Sequence, residues 1–262
     1  MLLQVGNLIG SVRAVKAGQG NAIGAGIDGY GLPGQAMQMA GEQTSSVIFR
    51  RPVTLVGAGV LTRAVLDEAL ALAPELVAAD RGADMLAELG LMPGTVVGDM
   101  DSISDPDRWA KMARLVRIRE QETTDFEKCL YATEAPFYIA AGFTGGRVDH
   151  SLSVLHGLLA REGKQVVLLG EDDAITLLPP GEIVGLDLPA GARLSVFPLL
   201  PTTGIHSKGL IWPIKGLDMA PGQRIGTSNV TSGGRVELGF DRPGAVLIIE
   251  REHLSALVRT FR

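Results

Sequence analysis

The sequence predicts an α/β fold in which an N-terminal, mostly parallel α/β domain of Rossmann-like type precedes an all-β sandwich domain. Two observations predict it. Between residues 48 and 170, short apolar segments alternate with segments whose apolar residues recur at helical spacing, and such alternation is typical of βαβ units. From residue 171 to residue 262, short strand-like runs are separated by Pro and Gly, with no long helical period before residue 252. Runs of this kind favour an antiparallel sandwich or a small barrel.

Helices and strands of the first domain can be placed from their apolar spacing and their end signals. Asp105-Pro106 supplies an N-cap and a first helical residue, and Thr124 and Glu127 have the spacing of a capping box. The apolar strands fit a sheet that is covered on both faces. The predicted strands are residues 53–57, 76–79, 95–98, 115–118, 137–141 and 166–169, and the predicted helices are residues 60–72, 82–90, a segment from residue 105, 124–133 and 147–162.

The strand-like runs of the second domain follow one another without helices between them, and no internal repeat relates them. We therefore expect two domains, residues 48–170 and residues 171–262. The clearest predicted strands of the second domain are residues 174–178, 183–188, 193–197, 210–214, 235–240 and 245–250.

Residues 1–47 differ in composition from the rest of the chain. They are rich in Gly, Ala and Gln and carry little charge. They have no compact apolar stretch after a basic start, which a secretory signal would need. We expect a flexible extension, or a non-native one that results from an upstream start codon, and assign it no function.

Composition limits the classes of protein to which the chain can belong. Of its 262 residues, 46% are hydrophobic and 20% are charged, as in an ordinary globular protein. The formal net charge is -5, and no basic cluster supports a nucleic-acid partner. No run of about 18 apolar residues occurs, so we expect no membrane span. The single cysteine, Cys129, excludes an intrachain disulfide and fits a reducing compartment such as the cytoplasm.

An acidic motif, Gly98-Asp-Met-Asp-Ser102, follows directly on a predicted strand. In an open parallel sheet, ligands bind outside the carboxyl ends of the strands. An extended turn would aim Asp99 and Asp101 in the same direction, and two close carboxylates ionise together only when a cation lies between them. Mg²⁺ takes such ligands together with substrate phosphates. The alternative is a surface turn, in which Asp and Ser are common.

A second acidic segment, residues 122–128, lies at another strand-to-helix junction. Helix capping accounts for Thr124 and Glu127, and Asp125 complements the helix dipole. Capping leaves Glu122 and Asp125 available for a catalytic or metal-binding role.

The segment Thr144-Gly-Gly-Arg-Val-Asp-His150 follows the strand that ends near residue 141. Gly145 and Gly146 allow the backbone to approach a ligand, and the start of a helix offers N–H groups to phosphate. Arg147 can bind phosphate oxygens in a bidentate manner. The alternative is an ordinary glycine-rich turn with charged residues at the start of a helix.

The convergence of these segments is more specific than any one of them. Asp80 follows the strand at residues 76–79, so that four segments fall at one edge of the predicted sheet. We therefore expect one crevice surrounded by Asp80, Asp99, Asp101, Asp125, Arg147 and Asp149.

Other known motifs are absent or incomplete. There is no P-loop, His-Glu-x-x-His or Gly-x-Ser-x-Gly sequence, and Gly57-Ala-Gly59 only half-matches a dinucleotide fingerprint, because Thr62 replaces its third glycine. His156 and His206 have no partner at ligand spacing, so we interpret them as structural.

In its acidic and glycine-rich segments, the chain resembles the thiamine pyrophosphokinase family. The resemblance extends from about residue 52 to residue 250 and is carried by Ala79-Asp-Arg-Gly-Ala83, Gly98-Asp-Met-Asp-Ser102, Thr124-Asp-Phe-Glu-Lys128, Gly145-Gly-Arg-Val-Asp-His150, Gly209-Leu-Ile-Trp212 and Gly226-Thr-Ser-Asn229.

This resemblance implies an enzyme that transfers diphosphate from Mg²⁺-ATP to the hydroxyl of thiamine and releases AMP. It implies a homodimer with thiamine bound between subunits, near Trp212, Ser228 and Asn229. It further implies catalytic roles for Asp80, Asp99, Asp101 and Asp125, Mg²⁺ ligation by the last three of these, and nucleotide binding by Gly145, Gly146, Arg147, Asp149 and His150.

The chain departs from the family pattern at three positions near these motifs. It has Arg81 where the family usually has Gly, Glu122 where Asp is frequent, and Val154 where Asn is common. None of the three replaces a matched aspartate, so we expect activity to survive.

Two functions from other classes remain as alternatives. A non-catalytic sensor of thiamine or nucleotide would bind its ligand without releasing AMP. A nicotinamide-dependent oxidoreductase, suggested by Gly57 and Gly59, would bind NAD or NADP as the free protein.

Overall fold

Strands and helices alternate through the first part of the computed structural model, which describes residues 46–161 and 163–261. The predicted extension lies outside the described residues, except for its last two. One of these, Val47, is buried in a short strand, so ordered structure begins before the predicted start at residue 48. All described residues belong to one compact unit. No helix among them is long and apolar enough to cross a membrane.

The first part of the described chain contains eight strands and five helices. The strands are β1 (Val47–Ile48), β2 (Val53–Val56), β3 (Glu75–Ala79), β4 (Thr95–Gly98), β5 (Arg114–Arg117), β6 (Thr133–Glu134), β7 (Tyr138–Ala141) and β8 (Val166–Leu169). The helices are α1 (Arg63–Leu72), α2 (Gly82–Glu88), α3 (Pro106–Met112), α4 (Asp125–Ala132) and α5 (Val148–Ala160).

The second part is built mainly of strands. They are β9 (Asp173–Leu177), β10 (Ile183–Leu188), β11 (Arg193–Pro198), β12 (Thr202–Lys208), β13 (Asp218–Met219), β14 (Gly226–Val230), β15 (Gly234–Phe240) and β16 (Ala245–Glu250). A short helix, α6 (Leu254–Val258), follows them between two single 3₁₀ turns.

A ten-stranded sheet runs through both parts in the order β14-β11-β16-β9-β8-β7-β2-β3-β4-β5. The six strands from β8 to β5 are parallel, and the other four are antiparallel to their neighbours. A second, antiparallel sheet has the order β10-β15-β12-β13, and β1 pairs with β6 on its own. The fold is therefore mixed α/β, as the alternation of elements predicted.

Helices cover both faces of the parallel strands. On one face, Leu55 of β2 packs in a cluster with Phe126 of α4 and Leu158 of α5. On the other face, the adjacent residue Val56 packs with Leu66 of α1, and this cluster also includes residues of α2 and α3. Successive residues of a strand point to opposite faces, so an almost continuous apolar strand is buried on both sides.

The β half differs from its prediction in three respects. The antiparallel strands form two layers that share a core, but one layer continues the parallel sheet. The predicted strand at residues 210–214 is wrong, because only Leu210 forms a bridge there. Strands β12 and β14 were missed, since their sequences are mostly polar and lack an apolar alternation.

Candidate active site

A cavity of about 790 Å³ opens at the carboxyl ends of the parallel strands. The chain proceeds from β2 to β3, β4 and β5 in one direction, whereas β7 and β8 lie on the other side of β2. The loops after β2 and β7 consequently diverge at this point, which is where open α/β sheets bind ligands. Segments that follow β2, β3, β4, β5 and β7 all contribute to the wall of the cavity.

Glycines allow the loops after β2 and β7 to pack closely in this wall. The Gly59 N–H donates to the carbonyl of Gly142 at 2.7 Å, and a Cβ atom at Gly57 or Gly59 would lie 2.6 Å from that carbonyl oxygen. Thr62 caps α1 by accepting a hydrogen bond from the Val65 N–H. Loop packing and helix capping thus account for the residues that half-match a dinucleotide fingerprint.

Asp80 is buried at the end of β3, with 1% of its surface exposed. Its Oδ2 accepts hydrogen bonds from the Ser102 hydroxyl at 2.6 Å and from the Ser102 N–H at 3.3 Å. Its Oδ1 is also buried and has no hydrogen-bond partner among the described residues. A buried carboxylate oxygen without a partner destabilises the folded protein. This atom is therefore a candidate to bind a cation or another ligand.

The backbone around this aspartate is held in an unusual conformation. Asp80 has φ +42° and Met100 has φ +68°, which is the left-handed region that residues other than glycine rarely adopt. Gly98 permits the close approach of the two loops, because a Cβ there would lie 2.8 Å from the Cβ of Asp80. Strained backbone of this kind is concentrated at functional sites.

Three carboxylates meet at this edge of the sheet, and two of them, Asp99 and Asp125, line the cavity. One oxygen each from Asp80, Asp99 and Asp125 lies within 4.8 Å of the other two. The Lys128 ammonium, whose side chain is only 2% exposed, lies 3.4 Å from Asp99 Oδ2 and 3.3 Å from Asp125 Oδ1. The site therefore gathers two acidic groups from loops and one from the start of α4 around one buried cation.

The pKa values of these groups show the strain of this arrangement. Burial raises the pKa of Asp80, and the charges of Asp125 and Asp99 add to the increase. Burial also raises the pKa of Asp125, against the opposing effect of Lys128. Burial would lower the pKa of Lys128, but the charges of Asp125 and Asp99 raise it instead. Lys128 consequently stays charged and offsets part of the repulsion among the carboxylates.

Asp101 occupies a different position from the one predicted. Its backbone N–H donates to Asp99 Oδ1 at 3.2 Å, and it lies outside the group of three carboxylates that includes Asp80. The backbone at Met100 is left-handed, so the turn is not the extended one that the sequence suggested. Asp101 still lines the cavity, and a side-chain hydrogen bond with Asp99, together with the Asp99 charge, raises its pKa.

Replacement of Asp101 by asparagine should abolish turnover, with a loss of at least about 100-fold, and should leave the fold intact. The side chain is exposed, so the substitution removes charge beside Asp99 without disturbing a core. Turnover and thermal unfolding of the variant check this expectation. Near-normal activity would remove Asp101 from the site.

A second set of hydrogen bonds, which the sequence did not indicate, holds the loop that carries Asp99. Asp84 of α2 accepts hydrogen bonds from the Ser104 N–H and hydroxyl, both at 2.8 Å, and from the Trp109 indole N–H at 3.0 Å. Burial opposes the ionisation of Asp84, but these hydrogen bonds hold its pKa below the ordinary value. Asp80 and Asp84 thus fix the loop after β4 at Ser102 and Ser104.

The segment between β5 and α4 contributes further residues to the cavity. Gln121 Nε2 donates to Asp99 Oδ2 at 2.6 Å, and the capping box of Thr124 and Glu127 is present. Burial opposes ionisation of Asp99, but hydrogen bonds from Gln121 and the Asp101 N–H, together with the charge of Lys128, lower its pKa. The role of Gln121 was missed, because its contact depends on the path of the loop rather than on a motif.

The glycine-rich segment forms the opposite wall of the cavity. Gly145 and Gly146 have φ +83° and +69°, and both line the cavity together with Arg147 and His150. The Arg147 guanidinium forms a bidentate pair with Asp149, with an Nη2–Oδ2 distance of 2.5 Å. Asp149 itself is not among the described residues that line the cavity. It engages the guanidinium that was predicted to bind phosphate.

Positions at which the chain departs from the family pattern have different surroundings. Arg81 and Val154 line the cavity, and Val154 is buried. Glu122 is exposed and is not among the described residues that line the cavity. The predicted availability of Glu122 for a catalytic role therefore gains no support from its position.

Trp212, Ser228 and Asn229 are brought together in the β half. The Asn229 side chain donates from Nδ2 to the Trp212 carbonyl at 2.7 Å and accepts from the Trp212 N–H at 3.2 Å. Trp212 is 59% exposed, and Ser228 has φ +58°. Asn229 therefore holds the backbone of an exposed Trp. None of these three lines the cavity among the residues that the structure describes.

The donor set fits Mg²⁺. This ion takes oxygen ligands, commonly one or two carboxylates together with waters and phosphates. The site offers carboxylates of Asp80, Asp99 and Asp125 in one group, and the unpartnered buried Oδ1 belongs to this group's Asp80.

Comparison with protein families gives two matches along the chain. The catalytic domain of thiamin pyrophosphokinase matches residues 66–168, and the vitamin B1 binding domain of thiamin pyrophosphokinase matches residues 184–243. The first range contains Asp80, Asp99 and Asp125, and the second contains Trp212 and Asn229.

Curated relatives have the same description. Thiamine pyrophosphokinase 1 of Arabidopsis thaliana is 28% identical over 166 residues, which cover 57% of this chain and 62% of the relative. Thiamine pyrophosphokinase of Bacillus subtilis (strain 168) is 32% identical over 115 residues, which cover 40% of this chain and 54% of the relative. The matches thus span roughly three fifths or less of these relatives.

Solved structures resemble the fold over a larger share of the chain. Yeast thiamin pyrophosphokinase has a TM-score of 0.65 and 16% identity, and the match covers 76% of this chain and 86% of that structure. Thiamin pyrophosphokinase from Candida albicans has a TM-score of 0.64 and 16% identity, with 78% and 93% covered. At such identities, these structures establish the fold alone.

Proposed function

Because the chain belongs to the thiamin pyrophosphokinase family, we propose that it transfers diphosphate from Mg²⁺-ATP to the hydroxyl of thiamine, with thiamine diphosphate and AMP as products. The observation that carries this proposal is the grouping of the buried Asp80 with Asp99 and Asp125, the last two of which line the cavity. Three close carboxylates, one with an unpartnered buried oxygen, favour a divalent cation beside Lys128, and a cation next to a ligand-sized cavity suits phosphoryl chemistry.

The acidic groups divide the work in this proposal. Asp99 and Asp125 hold Mg²⁺, and Asp80 joins them because its oxygen lies in the same group. Asp101, which was predicted as a ligand, contributes from the adjacent cavity wall. The bound ion supplies neutralisation of phosphate charge. A carboxylate of this rim also accepts the proton of the thiamine hydroxyl.

Basic and backbone groups bind the nucleotide in this proposal. Gly145 and Gly146 let the backbone approach the phosphates, as their positive φ values allow. Arg147 exchanges its partner Asp149 for phosphate oxygens, which it can grip with the same bidentate geometry. Asp149 therefore keeps Arg147 extended before the nucleotide arrives, and His150 lines the same wall.

Thiamine binding is proposed for the exposed face around Trp212. Asn229 positions this residue through its backbone, and Ser228 lies in the same strand. Since these residues do not line the cavity within the described part of one chain, we propose a homodimer in which this face of one copy completes the cavity of the other. The adjacent exposed apolar residues Ile211 and Trp212 support a partner surface here.

Replacement of Trp212 by alanine should raise KM for thiamine by roughly 2- to 30-fold, the loss expected for a cation–π contact of about 0.5–2 kcal/mol. KM for ATP should change little. Steady-state kinetics with each substrate varied in turn test this expectation. Ile183→Ala is the matched control, because Ile183 is an apolar residue of similar exposure that lies in β10 and not in the segment around Trp212. An unchanged thiamine KM in the Trp212 variant would exclude the stacking role.

The decisive experiment measures AMP release from ATP, with and without thiamine and with and without Mg²⁺. The proposed function requires that AMP and thiamine diphosphate form only when both are present. Ligand binding without AMP release would instead identify a sensor. Neither this alternative nor the nicotinamide-dependent oxidoreductase is favoured by the family matches.

Finer aspects of organisation remain proposals of the same kind. We propose a Rossmann-like catalytic domain at residues 48–170 and a thiamine-binding sandwich domain at residues 171–262. The parallel order of β8-β7-β2-β3-β4-β5 supports the first. We also propose a cytoplasmic location, which the buried free thiol of Cys129 supports.

A further inference from the structure

Glu120 lies in the loop between β5 and α4, and its carboxylate accepts four hydrogen bonds. Oε2 accepts from the Glu122 N–H at 2.7 Å and from the Thr123 N–H at 2.9 Å. Oε1 accepts from the Tyr131 hydroxyl at 2.8 Å and from the Thr123 hydroxyl. One side chain therefore closes the loop on itself and ties it to α4.

The tie to α4 is itself held in place. Tyr131 lies on α4, and the Arg161 guanidinium lies 5.1 Å from the centre of its ring. A cation over an aromatic face restrains the ring. The same helix carries Asp125 and Lys128. The Glu120–Tyr131 hydrogen bond thus makes the loop move together with the helix that bears one carboxylate of the acidic group.

The loop that Glu120 closes also contacts Asp99, another carboxylate of the acidic group. Gln121, the next residue, donates to Asp99 Oδ2 at 2.6 Å, and Thr123 and Thr124 line the cavity. Asp99 lies on the loop after β4. The Gln121 amide of one loop therefore orients the Asp99 carboxylate of another loop. If the closure at Glu120 were lost, Gln121 would lose the fixed path that aims its amide at Asp99.

Glu120 does not have the position of a ligand or of a base. It is not among the described residues that line the cavity, and both of its oxygens are already engaged. Burial opposes its ionisation, but the hydrogen bonds from Thr123, Tyr131 and the backbone lower its pKa to about 2. It therefore remains an ionised acceptor across the pH range in which enzymes are assayed.

We propose that Glu120 is a positioning residue for the acidic site: through the loop closure and the bond to Tyr131, it orients Gln121 against Asp99 and thereby sets the affinity for the divalent cation. This inference rests on the proposed function, which it deepens. Partners one step outside a metal's ligands typically change metal affinity by 10- to 100-fold when removed, so an effect within roughly that range is expected.

The test titrates the full-length protein with Mn²⁺ in the absence of substrates and follows free Mn²⁺ by electron paramagnetic resonance. Glu120→Gln should raise the Kd for Mn²⁺ by roughly 10-fold or more and should lower kcat, with little change in KM for thiamine. Glu122→Gln is the matched control. It makes the same chemical change two residues away, where the side chain is exposed and has no partner among the described residues.

Two milder variants separate the parts of the closure and guard against misfolding. Glu120→Asp can keep the bonds to the two following N–H groups, which Asp commonly makes in turns, but it cannot reach Tyr131. Tyr131→Phe removes only the bond to the helix. Both should weaken Mn²⁺ binding less than Glu120→Gln does, and to a similar degree, with an unchanged unfolding temperature.

The outcomes are distinguishable from those that decide the enzyme's activity. Mn²⁺ affinity in Glu120→Gln within about 2-fold of the Glu122→Gln control would overturn the positioning role, even if wild type releases AMP. If Glu120→Gln does not fold, unchanged Mn²⁺ affinity in both milder variants would overturn it. A wild-type protein that releases no AMP would refute the proposed function, whatever the Mn²⁺ titrations show.

Discussion

Replacement of Asp80 by asparagine should lower turnover by at least about 100-fold and, at the same time, leave the substrate-free protein as stable as wild type or more stable. The activity loss follows from removal of a carboxylate that belongs to the acidic group and has an unpartnered, buried Oδ1. Such a loss should exceed the cost of removing a partner outside the metal's ligands.

The gain in stability follows from the charges around Asp80. Burial and the charges of Asp125 and Asp99 raise its pKa, so the folded state disfavours the ionised form. The pH dependence of stability is therefore opposite to that caused by a salt-bridged aspartate. Ionisation of Asp80 destabilises the folded protein as the pH rises above the ordinary pKa of aspartate. Asparagine has the same shape, can still accept from Ser102, and carries no charge.

Thermal unfolding with and without Mg²⁺ checks both effects. Wild type should unfold at a higher temperature when Mg²⁺ is added, because a ligand that binds only the folded state stabilises it, and the Asp80 variant should respond less. Asp107→Asn serves as a control, because Asp107 is exposed on α3 and makes no salt bridge among the described residues. An Asp80 variant that keeps both full activity and the Mg²⁺ response would remove Asp80 from the site.

The place of the site could be predicted because topology alone determines it. Parallel strands end at one edge of a sheet, so residues that directly follow them must converge there. Asp80, Asp99 and Asp125 each follow a strand or begin the next helix, and the structure brings them within one group. The helix ends were predictable for a similar reason, since Thr124 and Asp105 cap their helices through local hydrogen bonds.

Side-chain direction within the loops could not be predicted in this way. The expectation that Asp99 and Asp101 aim together assumed an extended turn, and the left-handed conformation of Met100 breaks that alternation. Instead, the Asp101 N–H bonds to Asp99 Oδ1, and Asp80 is the residue that lies within 4.8 Å of Asp99 and Asp125. The sequence gives no signal for a positive φ at a methionine, because only tertiary contacts can stabilise it.

Contacts between distant segments were equally hidden. In the sequence, Lys128 looks like an ordinary lysine on the surface of a helix. Its burial was not predictable, because its partner Asp99 lies 29 residues away. The pairing of β9 with β16, which lies far along the chain, carries the sheet further into the β half and is not specified by polar and apolar patterns. Local rules predicted the elements, but not which of their edges would meet.

Replacement of Lys128 by methionine should have the opposite effect on stability from the Asp80 substitution. Methionine keeps most of the buried aliphatic volume, but it leaves Asp99 and Asp125 without their cation. Removal of one partner of a fully buried pair costs about 3–5 kcal/mol. Because Asp125 is 39% exposed, solvent screens part of this loss, and about 2 kcal/mol is expected in the absence of Mg²⁺.

The pH range in which this loss of stability can be measured follows from the direction in which the pKa of Lys128 is shifted. The pKa of Lys128 is raised by the charges of Asp125 and Asp99, which outweigh burial. A raised lysine pKa contributes its stability below the ordinary value, and this contribution is lost only as the pH rises through the folded value. The difference between wild type and Lys128→Met should therefore be constant from about pH 6 to pH 9.

Denaturant unfolding of Lys128→Met, Asp80→Asn and the double variant, with Lys111→Met as a surface control, tests whether the acidic group is one electrostatic unit. If the carboxylates repel one another and Lys128 offsets that repulsion, removal of the Asp80 charge should recover part of the stability that Lys128→Met loses, so the two changes will not be additive. Mg²⁺ should also restore stability to Lys128→Met, because a divalent cation can replace the missing ammonium charge. Strict additivity, together with no response to Mg²⁺, would show that the three carboxylates act independently and do not form a cation site.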